Sequence, residues 1–176
     1  LLEPLGTLKF EEAYELFARQ VRAGASAGAD CVLIETMADL YEAKAAILAA
    51  KENCALPVLC TMTFAEDGRT FLGTDPKTAA LTLCSLGVDA VGINCSLGPR
   101  ELIPLVRQMA EVATAPLMVQ ANAGLPEIVN GETVFRVTAD EYAAAAAEMV
   151  ALGVSVLGGC CGTTPAFIRK LRELVA

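Results

Sequence analysis

A chain of 176 residues, 55% hydrophobic and 19% charged, has the length of one ordinary domain and enough apolar material for a sizeable core. Its 21 acidic and 13 basic residues leave a net charge of −8, and no cluster of Lys or Arg offers a track for phosphates, which argues against nucleic acid as a partner. Histidine is absent, so Ser–His and Cys–His nucleophile pairs are excluded within the chain, and no apolar stretch reaches the ~20 residues that span a bilayer, so no membrane partner is expected.

In chain order, helical spacing covers 9–27, and Gly28, a C-cap signal, leads into an apolar strand at 31–34. A helix over 40–52 is followed by Pro57, tolerated at a strand's first residue, and a strand at 58–60. Asp75-Pro76 is a cap-then-Pro start for a helix over 76–86, and Gly87 precedes a strand at 90–93. A helix over 100–112, Pro116 and a strand at 117–119 come next. A helix over 139–151 then leads through Gly153 to a strand at 154–157, and Thr164-Pro165 opens a last helix over 165–175. Short apolar runs alternating with helices imply a parallel sheet with right-handed crossovers, so the fold class is α/β.

Polar residues gather just past the strand ends: Glu35-Thr36, Thr61-Met62-Thr63, Asn94-Cys95-Ser96, Gln120 to Gly124, and Gly159-Cys160-Cys161. In parallel α/β folds binding groups collect at the carboxyl ends of strands, so these five segments are expected on one rim. Neither a G-x-G-x-x-G fingerprint nor a Walker lysine is present, which weakens a nucleotide-binding reading. Seven cysteines, an odd number spread through apolar settings, differ from the framework of a small secreted protein and point to a reducing, cytoplasmic setting.

Cys95, Cys160 and Cys161 would bring three sulfurs to that rim, a metal site with a vacant fourth position of the kind a catalytic Zn2+ requires. The glycines flanking the cysteine pair allow the backbone to leave strand geometry, without which adjacent side chains point to opposite faces. On spacing alone, buried cysteines acting as small hydrophobes stay an open alternative. Cys31, Cys54, Cys60 and Cys84 lack this context and are assigned to core or surface. A carboxylate at Glu35 is placed to receive a substrate ammonium, or is a solvated strand end. Asn122 either turns the chain or caps a substrate or metal. Asn94 and Ser96 are candidate substrate contacts, and the start of the helix after Ser96-Leu97-Gly98-Pro99 offers N–H groups either to a substrate carboxylate or for plain capping.

Taken together, Gly92-Ile93-Asn94-Cys95, Gly158-Gly159-Cys160-Cys161-Gly162-Thr163 and Ile34-Glu35-Thr36-Met37 resemble the homocysteine S-methyltransferase family. Thr61-Met62-Thr63-Phe64 and Val119 to Pro126 are most similar to the homocysteine domain of cobalamin-dependent methionine synthases. The resemblance implies a (β/α)8 TIM-type barrel, zinc on Cys95, Cys160 and Cys161, and homocysteine sulfur as its fourth ligand. It implies that Glu35 holds the homocysteine amino group and that Asn122 occupies the metal before substrate displaces it. Gln120-Ala121-Asn122 departs from the family's usual Gln-Pro-Asn.

Against the family pattern, residues 1–176 match a single partial homocysteine-binding domain, barrel strands four to eight, with strands one to three and their Asp-Gly and Thr-Asn-Thr contacts missing. The chain starts on Leu1, without Met or a leader. The expected activity of the whole protein is zinc-dependent methylation of homocysteine to methionine, with methylcobalamin as donor and folate and cobalamin modules as partners, and the isolated segment is expected to do little. The alternatives are a betaine- or S-methylmethionine-type methyltransferase, a non-catalytic zinc-binding barrel remnant, or, ranked last, a phosphate-binding barrel enzyme. That last class lacks a strand-end lysine, since Lys9, Lys44, Lys51, Lys77 and Lys170 all fall on helical patterns.

Overall fold

A computed structural model describes residues 1–175. Helix α1 (Phe10–Ser26) leads to strand β1 (Val32–Met37), α2 (Leu40–Asn53), β2 (Val58–Met62), α3 (Pro76–Ser85), β3 (Ala90–Asn94), α4 (Pro99–Ala110) and β4 (Leu117–Ala121). A short hairpin, β5 (Glu127–Val129) and β6 (Glu132–Val134), precedes α5 (Ala139–Ala151), β7 (Val154–Gly159) and α6 (Pro165–Val175).

Local chemistry starts and stops these helices where expected. Asp75 caps α3 by accepting from the Thr78 backbone N–H at 2.9 Å, with Pro76 in the first turn. Thr138 and Glu141 form a reciprocal capping box at α5. Gly28, Gly87 and Gly153, which follow α1, α3 and α5, have φ of +88°, +76° and +98°, the left-handed conformation that ends a helix without a Cβ penalty. Among the described residues no helix is long and apolar enough to cross a membrane.

Five strands form one parallel sheet in the order β1-β2-β3-β4-β7. Ile34, Val58, Cys60, Met62, Val91, Ile93, Leu117 and Val119 point to the helices and share a core with Ile47, Leu83, Leu102, Met109 and Met149. The alternate residues, among them Leu33, Thr61, Asn94 and Gln120, therefore line the other face. Cys60 is fully buried on the helix side, and burial pushes its thiol up to about 12, so it sits away from the rim chemistry.

The sheet is open. Barrel closure would pair the outer edges of β1 and β7, and among the described residues neither is paired; Leu33, on the face away from the helices, is 39% exposed. A groove of about 330 Å³, lined by Phe17, Val21, Leu33 and Glu35 among others, runs along the β1 edge. All five strands of the parallel sheet run one to three residues past their expected ends, and one hairpin is new. Strand β1 runs to Met37 instead of stopping at residue 34, because a bulge between Ile34 and Met37 lets it resume pairing with β2. The hairpin β5–β6 was not expected; its signal is Asn130-Gly131, both left-handed at φ +53° and +83°, as a two-residue turn of this kind demands.

Candidate metal and substrate site

Cys95 lies directly after β3, and Cys160 and Cys161 directly after β7. The intervening strand β4 joins them. Its carbonyls at Gln120 and Ala121 accept from the N–H groups of Cys95 and Cys160 at 3.0 and 2.8 Å, and the Ala123 N–H donates to the Cys161 carbonyl at 2.9 Å. The three sulfurs lie within 4.8 Å of one another, with Cys95 and Cys161 Sγ 3.7 Å apart. Thiolates at about 2.3 Å from a tetrahedral zinc lie about 3.8 Å from each other, so the donor set fits that ion in both chemistry and spacing.

Turn geometry explains how two neighbouring cysteines reach one point. Gly162 has φ +78°, and a Cβ there would run into the Phe135 ring, as one on Gly159 would run into Thr163. The Thr163 hydroxyl donates to the Cys160 carbonyl at 2.7 Å. From α5, the Tyr142 hydroxyl reaches the carbonyls of Gly158 and Ala121 at 2.8 and 3.1 Å; burial raises its pKa, so it stays a donor. Nothing in the sequence around Tyr142, an alanine-rich helical stretch, signals this role.

Asn122 is buried, and its Oδ1 accepts from the Cys161 backbone N–H at 3.0 Å, so it braces the turn at the cysteine pair. Cys95 and Ser96 are consecutive non-glycine residues with φ of +64° and +57°. Such conformations cost on the order of 1–3 kcal/mol each and persist where surrounding contacts impose them. Ser96 is exposed, with its hydroxyl 2.6 Å from that of Thr63. Burial, followed by the hydrogen bond and charge of Cys95, pushes the Cys160 thiol up to about 12. Three thiolates thus repel one another unless a cation neutralises them.

Glu35 is exposed and sits in the β1 bulge beside Thr36, a β-branched residue at φ +60°. Asn94, expected as a substrate contact, has no exposed surface and lies behind the rim, hydrogen-bonded to Thr36 and Thr61 and facing Cys160. Next to it across β3–β4, the buried Oε1 of Gln120 has no hydrogen-bond partner among the described residues.

The family model for homocysteine S-methyltransferase matches residues 2–175. A methionine synthase from Mycobacterium tuberculosis (strain ATCC 25618 / H37Rv) is 34% identical over 181 aligned positions, covering 99% of this chain. The apo form of the homocysteine methyltransferase MmuM from Escherichia coli superposes with a TM-score of 0.79 at 22% identity over 99% of the chain, and its metallated form with 0.73 at 23% over 91%. The chain spans 15% of the length of that methionine synthase and 61% of apo MmuM. With a family match running almost end to end through the three rim cysteines, the chain belongs to the homocysteine S-methyltransferase family.

Proposed function

We propose that this chain forms the homocysteine-activating part of a methionine synthase, barrel strands four to eight, and that Cys95, Cys160 and Cys161 hold a zinc ion. The observation that carries this reading is the 3.7 Å approach of Cys95 and Cys161 Sγ, with the Cys160 sulfur within 4.8 Å of both, at one rim of a parallel sheet. A structural zinc site is normally closed by four protein ligands, and three thiolates leave a position for substrate. The metallated form of MmuM, a protein of the same fold, is in keeping with a metal here.

When bound, zinc supplies a Lewis acid with one exchangeable position, which keeps a substrate thiol ionised at neutral pH. The chain's own residues position the rest. The Glu35 carboxylate receives the homocysteine ammonium. The N–H groups at the start of α4 receive its carboxylate, the Leu97 N–H being spent on the Cys95 carbonyl at 2.7 Å, and the positive end of the helix dipole favours that charge. Asn122 braces the Cys161 turn through its Oδ1 and would be the side chain to hold the exchangeable position of a bound zinc in the absence of substrate. The sulfur lone pair forms the new carbon–sulfur bond as the donor–methyl bond breaks with its electron pair left on the donor, and the thiol proton passes to solvent, so no histidine is needed.

The similarity to a methionine synthase of which this chain covers only 15% supports methylcobalamin, carried on a separate module beside a folate module, as the methyl source. The free β1 and β7 edges support the reading that strands one to three complete the barrel in the whole protein. Seven free cysteines suit a reducing cytoplasm. The test is metal content and sulfur coordination: one zinc per chain, with X-ray absorption showing a fourth sulfur on adding homocysteine. Full zinc retention in a Cys95, Cys160 and Cys161 triple alanine variant overturns the reading.

A further inference from the structure

Between the Glu35 bulge and the cysteine site lies one side chain that touches both. The Asn94 Oδ1 accepts from the Thr36 backbone N–H at 2.6 Å and from the Thr61 hydroxyl at 2.7 Å. Its Nδ2 donates to the Thr36 hydroxyl oxygen at 2.7 Å and to Cys160 Sγ at 3.9 Å. A side-chain amide has two lone pairs and two N–H groups, and here all four are engaged. With 0% of its surface exposed, Asn94 has nothing left for substrate.

We infer that Asn94 is a positioning residue that couples the ammonium-binding bulge of β1 to the Cys160 sulfur, so that one amide sets both the geometry of Glu35 and the charge on a metal-binding thiolate. The inference rests on the proposed zinc and homocysteine reading. Two contacts from one amide bracket Thr36, whose φ of +60° is disfavoured for a β-branched residue and so needs an outside constraint. That constraint fixes the bulge, and a bulge re-aims the side chain next to it, here Glu35. The second N–H faces Cys160 Sγ at 3.9 Å, and a donor there takes up part of the charge that the sulfur would carry as a ligand. Outer-shell donors of this kind tune metal ligands. The contacts join positions 58 and 66 residues apart, so the coupling depends on the strand register and on no local motif.

Variants of the full-length protein separate the two halves. Asn94→Asp keeps both acceptor contacts, to the Thr36 N–H and the Thr61 hydroxyl, and its second oxygen accepts from the Thr36 hydroxyl in place of the lost Nδ2 donation, but it has no N–H for Cys160. It should weaken zinc binding by roughly tenfold to hundredfold and shift the sulfur-to-cobalt charge-transfer band of the Co2+ form, with KM for homocysteine little changed. Thr36→Ala should do the reverse, raising KM while zinc affinity and the cobalt band hold, and Thr36→Ser should restore KM. Asn94→Ala should lose on both readouts. Folded Asn94 variants with unchanged zinc affinity and cobalt spectrum overturn the coupling, as does equal loss of both quantities in Asn94→Asp and Thr36→Ala. If neither Asn94 variant folds, the Thr36 pair decides: an unchanged KM in Thr36→Ala overturns the inference. Wild-type protein that takes up no metal at the three cysteines defeats the functional reading itself, whereas wild-type metal binding with unaltered variants defeats only this inference.

Discussion

Cys95 and Cys161, 66 residues apart in the chain, place their sulfur atoms 3.7 Å from each other. Strands β3 and β7 are each paired to β4, and it is the end of β4 that holds the two turns together through the Gln120 carbonyl and the Asn122 side chain. The spacing of the three sulfurs is therefore a property of three adjacent strand ends, and separate perturbations should reach it by different routes.

Removing one thiolate leaves two protein donors, too few for a tight tetrahedral site. Cys95→Ala and Cys161→Ala should each lose zinc on dialysis against a mild chelator, while Cys60→Ala should keep it. Because Cys60 is packed in the helix-side core, its replacement should instead cost about 1 kcal/mol of stability by emptying buried volume. Zinc content and urea unfolding of the same three proteins distinguish the two kinds of damage.

Zinc uptake should release protons. The Cys160 thiol, pushed up to about 12 by burial and then by Cys95, is protonated at neutral pH without metal and deprotonated with it. The metal-free state therefore binds more protons, and higher pH favours the metal-bound state. Zinc affinity measured by chelator competition should rise from pH ~6 to ~8, and a pH indicator in weak buffer should record the protons released. An affinity that is flat over that range would contradict thiolate ligation.

Glu35→Gln should keep zinc and raise KM for homocysteine about tenfold, the weight of a charge-assisted contact at an exposed position. A homocysteine analogue lacking the amino group should show no such difference between wild type and variant. Equal KM increases with both substrates would place the effect elsewhere than the ammonium.

Gly162→Ala tests the turn. With φ +78° and the Phe135 ring in the way of a Cβ, the substitution should cost on the order of 1–3 kcal/mol and reduce zinc affinity, although no ligand is altered.

Asp75→Ala should destabilise the fold by about 1 kcal/mol at neutral pH through loss of the α3 cap. Hydrogen bonds from Thr78 hold the Asp75 carboxyl below its usual value in the folded state. Its contribution is thus fully present above the unfolded carboxylate pKa and is lost as pH falls through the lowered folded value. The difference between wild type and variant in urea unfolding should shrink in that acidic window.

Much of this molecule is legible locally. The helix–strand alternation follows from apolar periodicity, and Gly28, Gly87 and Gly153 mark helix ends because only a residue without Cβ takes their positive φ freely. The three metal-binding candidates were visible as cysteines at strand ends, the one place in a parallel α/β sheet where side chains escape the core. The Asn130-Gly131 turn was equally available but lay between runs too short and too polar to read as strands.

What the sequence determined by itself was which segments are helices and strands and which residue types reach the rim, since propensity, capping and periodicity act within a few residues. Tertiary structure alone decided who meets whom. Strand register set the sulfur spacing, turned Asn94 from an expected substrate contact into a buried link between Thr36 and Cys160, and gave the Asn122 oxygen to the Cys161 N–H. A polar side chain's partner depends on which atoms the neighbouring strands deliver within hydrogen-bond reach, and those atoms come from residues far away in the chain.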